Sequence, residues 1–206
     1  PEKGLLACNR IGEGRMVHID LIELAINSAL LQADDSGHLK RDWEGKSLLA
    51  TAGPTLEALD PARFLMNGSS GRMGVLIAQA ALLRGAHVNL IHGPLNLPQG
   101  WLEGLNTHPV KSAAEMQLML YQLQPKADVI AMAAAITDIR HKKGFQSEKL
   151  EKQSFLTSLV QNCELVPDLL AELANKRPIG QVLLGFAALT GNDEQIRRIG
   201  AEKRLQ

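Results

Sequence analysis

Asn67-Gly68-Ser69-Ser70-Gly71 is the run in this chain whose residue types could handle a phosphate or an acyl group. A short apolar run, Leu48 to Ala52, lies upstream between Lys46 and Gly53, and reads as a buried strand. Downstream, Met73, Leu76, Ile77, Ala80 and Leu83 recur at helical spacing. A strand, a loop rich in Gly and Ser, and a helix start can together cradle an anion. Unpaired amides and the positive end of the helix dipole converge there, and glycine lets a phosphate reach the backbone. Gly/Ser loops are also ordinary turns, so spacing alone supports a phosphate cradle and a plain turn equally.

Other residues carry the same two-sided reading. Asn67 either holds a left-handed turn or offers an amide that orients an acyl group beside the loop. Arg63, on the same loop, is a carboxylate or phosphate ligand, or a solvated cation. Lys142, Lys143, Lys149 and Lys152 could neutralise a phosphorylated substrate or form a charged face. Ala133-Ala134-Ala135 and Phe186-Ala187-Ala188 lack bulk at strand ends, where a flat ring could lie or a helix could pack closely. Asp138 is a metal or sugar contact, or a helix cap. The histidines show no ligand spacing, and Cys163 reads as a buried or idle thiol rather than a nucleophile.

Composition removes several function classes. Lys plus Arg equals Asp plus Glu at 22 each among 206 residues, so no global field favours nucleic acid or an anionic membrane. Aromatics at 3% do not make a base-stacking surface. No apolar run approaches the ~18 residues of a membrane span, and the start has no signal-peptide pattern. The two cysteines, Cys8 and Cys163, have no zinc spacing. A reduced, cytoplasmic protein is expected.

Residues 1–17 read as an ordered loop, 19–31 as a helix and 32–45 as a polar linker. From Lys46 onward, strands at 48–52, 86–91, 128–133 and 181–187 alternate with helices at 70–84, 112–123, 167–176 and 193–206. Ser112 and Glu115 form a capping box, and the helix at 167 opens on proline. Residues 54–66 and 95–109 read as loops, and 139–163 as a basic excursion. The alternation predicts an α/β fold: a doubly wound, mostly parallel, Rossmann-like sheet with helices on both faces. Ligands on such sheets sit at the carboxyl ends of the strands. The first turn, Ala52-Gly53-Pro54-Thr55, is not a G-x-G-x-x-G fingerprint. Tyr121 lacks a lysine four residues on, and no G-K-[ST] follows the first strand, so reductase and P-loop readings fail.

The stretch from Thr51 to Gly74, TAGPTLEALDPARFLMNGSSGRMG, resembles the signature of bacterial phosphopantothenate–cysteine ligases, TAGGT-x-E-x-[IL]-DPVR-[FY]-[IL]-[ST]-N-x-SSGKMG. Further matches follow in the family's order. Ala133 to Asp138 resembles AAAVSD, Glu148 to Lys152 EKIKK, Val166 to Leu170 NPDIL, and Gly185 to Thr190 GFAAET. Leu6 to Met16 resembles the LACG-x-[IV]-GEGRM clamp of the flavin-dependent decarboxylase that is usually fused upstream.

The resemblance implies a coenzyme A biosynthetic ligase. CTP activates 4′-phosphopantothenate as an acyl-cytidylate with Mg²⁺, and L-cysteine then displaces CMP. It implies that Asn67 handles the acyl-cytidylate, that Ser69, Ser70 and Gly71 lie against phosphates, and that Gly53 binds the nucleotide. Gly185, Phe186, Ala187 and Ala188 would lie near the nucleotide, and Arg63, Lys149 and Lys152 near phosphopantothenate. It also implies a homodimer. Residues 1–45 would be the tail of the decarboxylase, with Cys8 its proton donor only where the FMN-binding domain is present. Residues 46–206 would be the ligase, cut short at its C-terminus. Ile139 stands where the family has an aromatic and Leu189 where it has Glu. The lysine-rich stretch that grips CTP has only Lys203 as a loose counterpart. The alternative is therefore a catalytically incomplete nucleotide-binding or dimerisation fragment.

Overall fold

The computed structural model describes residues 2–5, 7–153 and 155–204. A hairpin of β1 (Glu2–Leu5) and β2 (Ile11–Arg15) leads to α1 (Ile19–Gln32). Next come β3 (Ser47–Ala52), a second hairpin of β4 (Leu56–Asp60) and β5 (Arg63–Met66), and α2 (Arg72–Leu83). They are followed by β6 (His87–His92), β7 (Asn106–Pro109), α3 (Ala113–Leu123) and β8 (Val129–Met132). Then come β9 (Ile139–His141), α4 (Phe155–Asn162), β10 (Cys163–Leu165), α5 (Leu169–Asn175), β11 (Val182–Gly185) and α6 (Asp193–Arg204).

Five strands form one parallel sheet in the order β11-β8-β3-β6-β7. The chain starts in the middle at β3, steps outward to β7, then returns to lay β8 on the other side. The point of reversal, between β3 and β8, is where ligands settle on such sheets. Alternate residues of β3 feed opposite faces. Leu48, Ala50 and Ala52 pack with Val75, Ala78 and Ala81 of α2. Leu49 joins Met116 and Leu120 of α3 and Leu169 and Leu173 of α5. The sheet is thus doubly wound with helices on both faces, and β3, buried from both sides, needs its unbroken apolar run. Among the described residues no helix is long and apolar enough to cross a membrane.

Local chemistry sets the helix starts. Ser112 Oγ accepts from the N–H of Glu115 at 3.2 Å, and Glu115 Oε2 accepts from Lys111 at 2.7 Å. The capping box therefore closes on Lys111 rather than on Ser112 itself. α5 opens not on its proline but on Asp168, whose Oδ1 accepts from Ala171 at 3.0 Å.

Several stretches expected as loops are ordered. The 95–109 segment contains β7, whose Pro109 is tolerated because β7 is an edge strand. A short 3₁₀ turn carrying Trp101, 2% exposed, fills the place of a crossover helix. The 54–66 segment is the β4–β5 hairpin. Its turn is closed by Asp60 Oδ1 accepting from the N–H of Ala62 at 2.8 Å. β1 and β2 also pair as an antiparallel hairpin, and the 139–163 excursion holds β9, α4 and the first residue of β10, which pairs antiparallel with β9. Leu6, Leu205 and Gln206, which the sequence reading placed in the clamp and the last helix, lie outside the described residues.

α2 lies directly on β3 at Gly74, where a Cβ would stand 2.4 Å from the Thr51 carbonyl oxygen and 2.7 Å from the Ala52 Cβ. Gly74→Ala is expected to lower unfolding free energy by about 1–3 kcal/mol, the usual cost of overpacking, as measured by urea denaturation.

Candidate active site

The cradle is built where β3 ends. Gly53 turns the chain at φ +76°, and a Cβ there would stand 3.0 Å from the Pro94 carbonyl oxygen. Gly71 occupies the N-cap of α2 at φ +80° with no side-chain cap, and a Cβ on it would stand 3.0 Å from the Gly53 nitrogen. The two glycines therefore meet back to back, and any other residue is strained at either position. The N–H of Gly71 donates to Ser69 Oγ, and the N–H of Arg72 to Ser70 Oγ, each at 3.3 Å. These bonds are long, and an anion's oxygens could replace both. A hollow of about 740 Å³ opens on this helix start, running from Gly68–Arg72 along Met73 and Ile77, with Ala133 and Leu24 on its walls.

Arg72 brings positive charge to the rim. Its guanidinium pairs with Asp20 of α1 at 2.8 Å and lies 5.7 Å from the Trp101 ring. His18, which caps α1, meets the same ring edge-on at 5.2 Å.

The tip of β8 sits beside the cradle. Pro54 and Ala135 form an isolated parallel bridge, and Ala134 donates to Thr51 Oγ1 at 3.0 Å. Asn67 Nδ2 donates to the Ile136 carbonyl at 2.8 Å, which joins the end of β5 to the same loop. That bond uses one amide proton and leaves the other, and Oδ1, for a ligand. Asn67, the Ser69–Gly71 turn and Ala133–Ala135 therefore converge. Gly185 pairs with Met132, so Gly185, Phe186, Ala187 and Ala188 leave the sheet next to the β8 tip. A Cβ at Gly185 would stand 2.6 Å from Leu170 Cδ2, and Phe186 is 41% exposed.

Arg63 and the basic segment also come together. Arg63 Nη2 donates to the Leu150 carbonyl at 2.9 Å, its Nε lies 3.6 Å from Asp60 Oδ2, and its guanidinium stacks 4.2 Å over Phe155. Lys149 and Lys152, either side of Leu150, are exposed. Cys8 lies exposed in the β1–β2 turn, and Lys203 lies on α6 with its side chain outside the described residues. Sequence reading missed Thr51, Thr55, Glu57, Asp60 and Thr137, all buried polar groups that hold this edge. The available signal was polar residues placed inside apolar runs at strand spacing.

Residues 43–206 match the DNA/pantothenate metabolism flavoprotein C-terminal domain. The chain belongs to that family. Within it, the Coenzyme A biosynthesis bifunctional protein CoaBC of Bacillus subtilis is 36% identical over 201 residues, covering 96% of this chain and 46% of the relative. CoaBC of Escherichia coli is 33% identical over 212 aligned positions, covering 100% and 48%. The chain thus spans about half the length of the curated relatives it matches. The crystal structure of the CoaBC C-terminal domain superposes with TM-score 0.61 at 35% identity, covering 77% of this chain and 72% of that one. A Cab2 variant complexed with phosphopantothenate-cysteine has TM-score 0.56 at 17% identity, covering 93% and 78%, and shares the fold.

Burial pushes the Asp60 carboxyl up, but the Ala62 and Leu150 N–H groups and the Arg63 charge outweigh it and hold it below the ordinary carboxylate value. A carboxyl depressed in the folded state stabilises above its unfolded pKa, and that contribution fades as pH falls through the folded value. Asp60→Asn keeps the shape and removes this titration. The variant is expected to melt below the parent near neutral pH, with the gap narrowing once pH drops under the ordinary carboxylate range, in melting curves recorded across pH.

Proposed function

We propose that this chain carries the ligase function of its family, joining 4′-phosphopantothenate to L-cysteine with CTP as the activating nucleotide. The observation that supports it is the convergence of the α2 start, Asn67 and the Ala133–Asp138 loop at the β3/β8 reversal. The Cab2 complex adds that a protein of the same fold holds phosphopantothenate-cysteine.

In the first step the pantothenate carboxylate attacks the α-phosphate of CTP, and pyrophosphate leaves with the electron pair of the broken P–O bond. The α2 amides, with Ser69 and Ser70, would receive phosphate oxygens in place of their present long bonds. Gly53, Gly185, Phe186, Ala187 and Ala188 would lie along the nucleotide. In the second step the cysteine amine attacks the acyl carbon, CMP leaves, and the ammonium gives up a proton. Asn67, steadied by Ile136, would direct its remaining amide proton at the acyl oxygen, where charge develops. Lys149 and Lys152, presented by Arg63, would face the pantothenate phosphate.

No group of three His, Cys, Asp or Glu side chains converges among the described residues. Mg²⁺ would enter on the nucleotide's phosphates, as is usual for this ion, and no step here is assigned to it. A second reading, nucleotide binding without turnover, is favoured by the exposure of Phe186, Ala187 and Ala188 at the sheet's edge.

The test is pyrophosphate release from CTP with 4′-phosphopantothenate and Mg²⁺, before and after cysteine is added. The ligase reading expects release in the parent. Asn67→Ala is expected to keep activation and lose roughly a hundredfold or more in amide formation, the scale of one oxyanion donor. Protection of the fold by CTP against heat with no release in the parent would replace the ligase by the second reading.

A further inference from the structure

Glu57 is only 8% exposed, and the reaction above gives it no task. Its Oε1 accepts from the N–H of Ala113, the first residue of α3, at 2.7 Å, and from Thr137 Oγ1 at 3.5 Å. Thr137, 4% exposed, donates its backbone N–H to Thr55 Oγ1 at 2.9 Å, and the two hydroxyls are 3.1 Å apart. The same grip continues along the loop. Ala135 donates to the Gly53 carbonyl at 2.9 Å and accepts from Thr55 at 3.3 Å, while Asn67 holds the Ile136 carbonyl. Residues 135, 136 and 137 are therefore each fastened by a group from the 53–67 segment.

Ala133, Ala134 and Ala135 have no polar side chains with which to fasten themselves, so they are held through their backbone and through Thr137, which follows them in the loop. Buried hydrogen bonds in series fix such a loop strongly, because each donor left unpaired costs its desolvation. We propose that Glu57, Thr55 and Thr137 are positioning residues. They form a buried rail that sets the height of the Ala133–Asp138 loop at the β3/β8 reversal, and with it the Ala133 wall of the hollow at the α2 start. Through Ala113 the rail also locks the start of α3 to the same height. This rests on the nucleotide reading above.

Thr137→Val tests the rail, since it keeps the side chain's shape and the backbone bond to Thr55 and removes only the hydroxyl. Amide hydrogen exchange across residues 133–138 is expected to quicken roughly tenfold, the effect of one buried partner lost, with α5 and its face of the sheet unchanged. KM for CTP in the pyrophosphate assay is expected to rise several-fold, with kcat reduced less. Thr137→Ser, which restores the hydroxyl, is expected to return both readouts to the parent, and Glu57→Gln, which keeps an acceptor oxygen, to sit between. Parent-like exchange and parent-like KM in Thr137→Val would overturn the proposal. So would exchange that quickens equally over the whole sheet. A parent that neither binds CTP nor releases pyrophosphate would sink the functional reading instead, while the exchange comparison still decides whether the rail holds the loop.

Discussion

The contact between α2 and β3 at Gly74 is the constraint on which the rest of the site depends. It brings a helix axis within backbone distance of the central strand and puts the α2 start level with the carboxyl end of β3. Every other feature of the edge follows from that placement. Gly53 and Gly71 must pass each other without side chains, and Gly93 must tuck beneath Pro54, where a Cβ would strike the Pro54 carbonyl oxygen at 1.7 Å. The glycines here are consequences of close approach, and the long-bonded amides of the cradle are what close approach leaves behind.

Charge is organised locally in a chain whose total is zero. Asp60 and Arg63 satisfy one another beneath the basic segment, and Arg72 is held by Asp20 at the cradle's rim. Arg63 and Arg72 are therefore each placed by an acidic or carbonyl neighbour rather than left to swing in solvent. A fixed cation loses little further freedom when an anion arrives, which suits the binding of phosphates that the ligase proposal requires.

The strands of the central sheet were legible because each is a bounded apolar run, and β3, β6, β8 and β11 all lie within a residue or two of the stretches read from sequence. The signature around Asn67 and Ser69–Gly71 was legible as a pattern of residue types. β7 was hidden by Pro98, Gly100, Gly104 and Pro109, which mark breaks when read alone and are harmless at a sheet edge. The β4–β5 hairpin was hidden for another reason. Glu57 and Asp60 look like loop residues until Ala113, Ala62 and Leu150 supply the N–H groups that satisfy them, and those partners lie up to 90 positions away in the chain. Local pattern reports a residue's own preference, while the rail between Glu57 and Thr137 is a property of two segments brought together by the fold.

α1 gives the architecture a further meaning. By resemblance, the segment that carries it was expected to be the remnant of a different activity. Yet Asp20 reaches across to the first residue of α2, His18 and Arg72 share the Trp101 ring, and Gln32 donates to the Leu83 carbonyl at the far end of the same helix. The second helix is thus bracketed at both ends by the first. The segment before the sheet is therefore part of the wall of the Gly68–Arg72 hollow, to which Leu24 also contributes, and a change in the seating of α1 would alter the shape of that hollow.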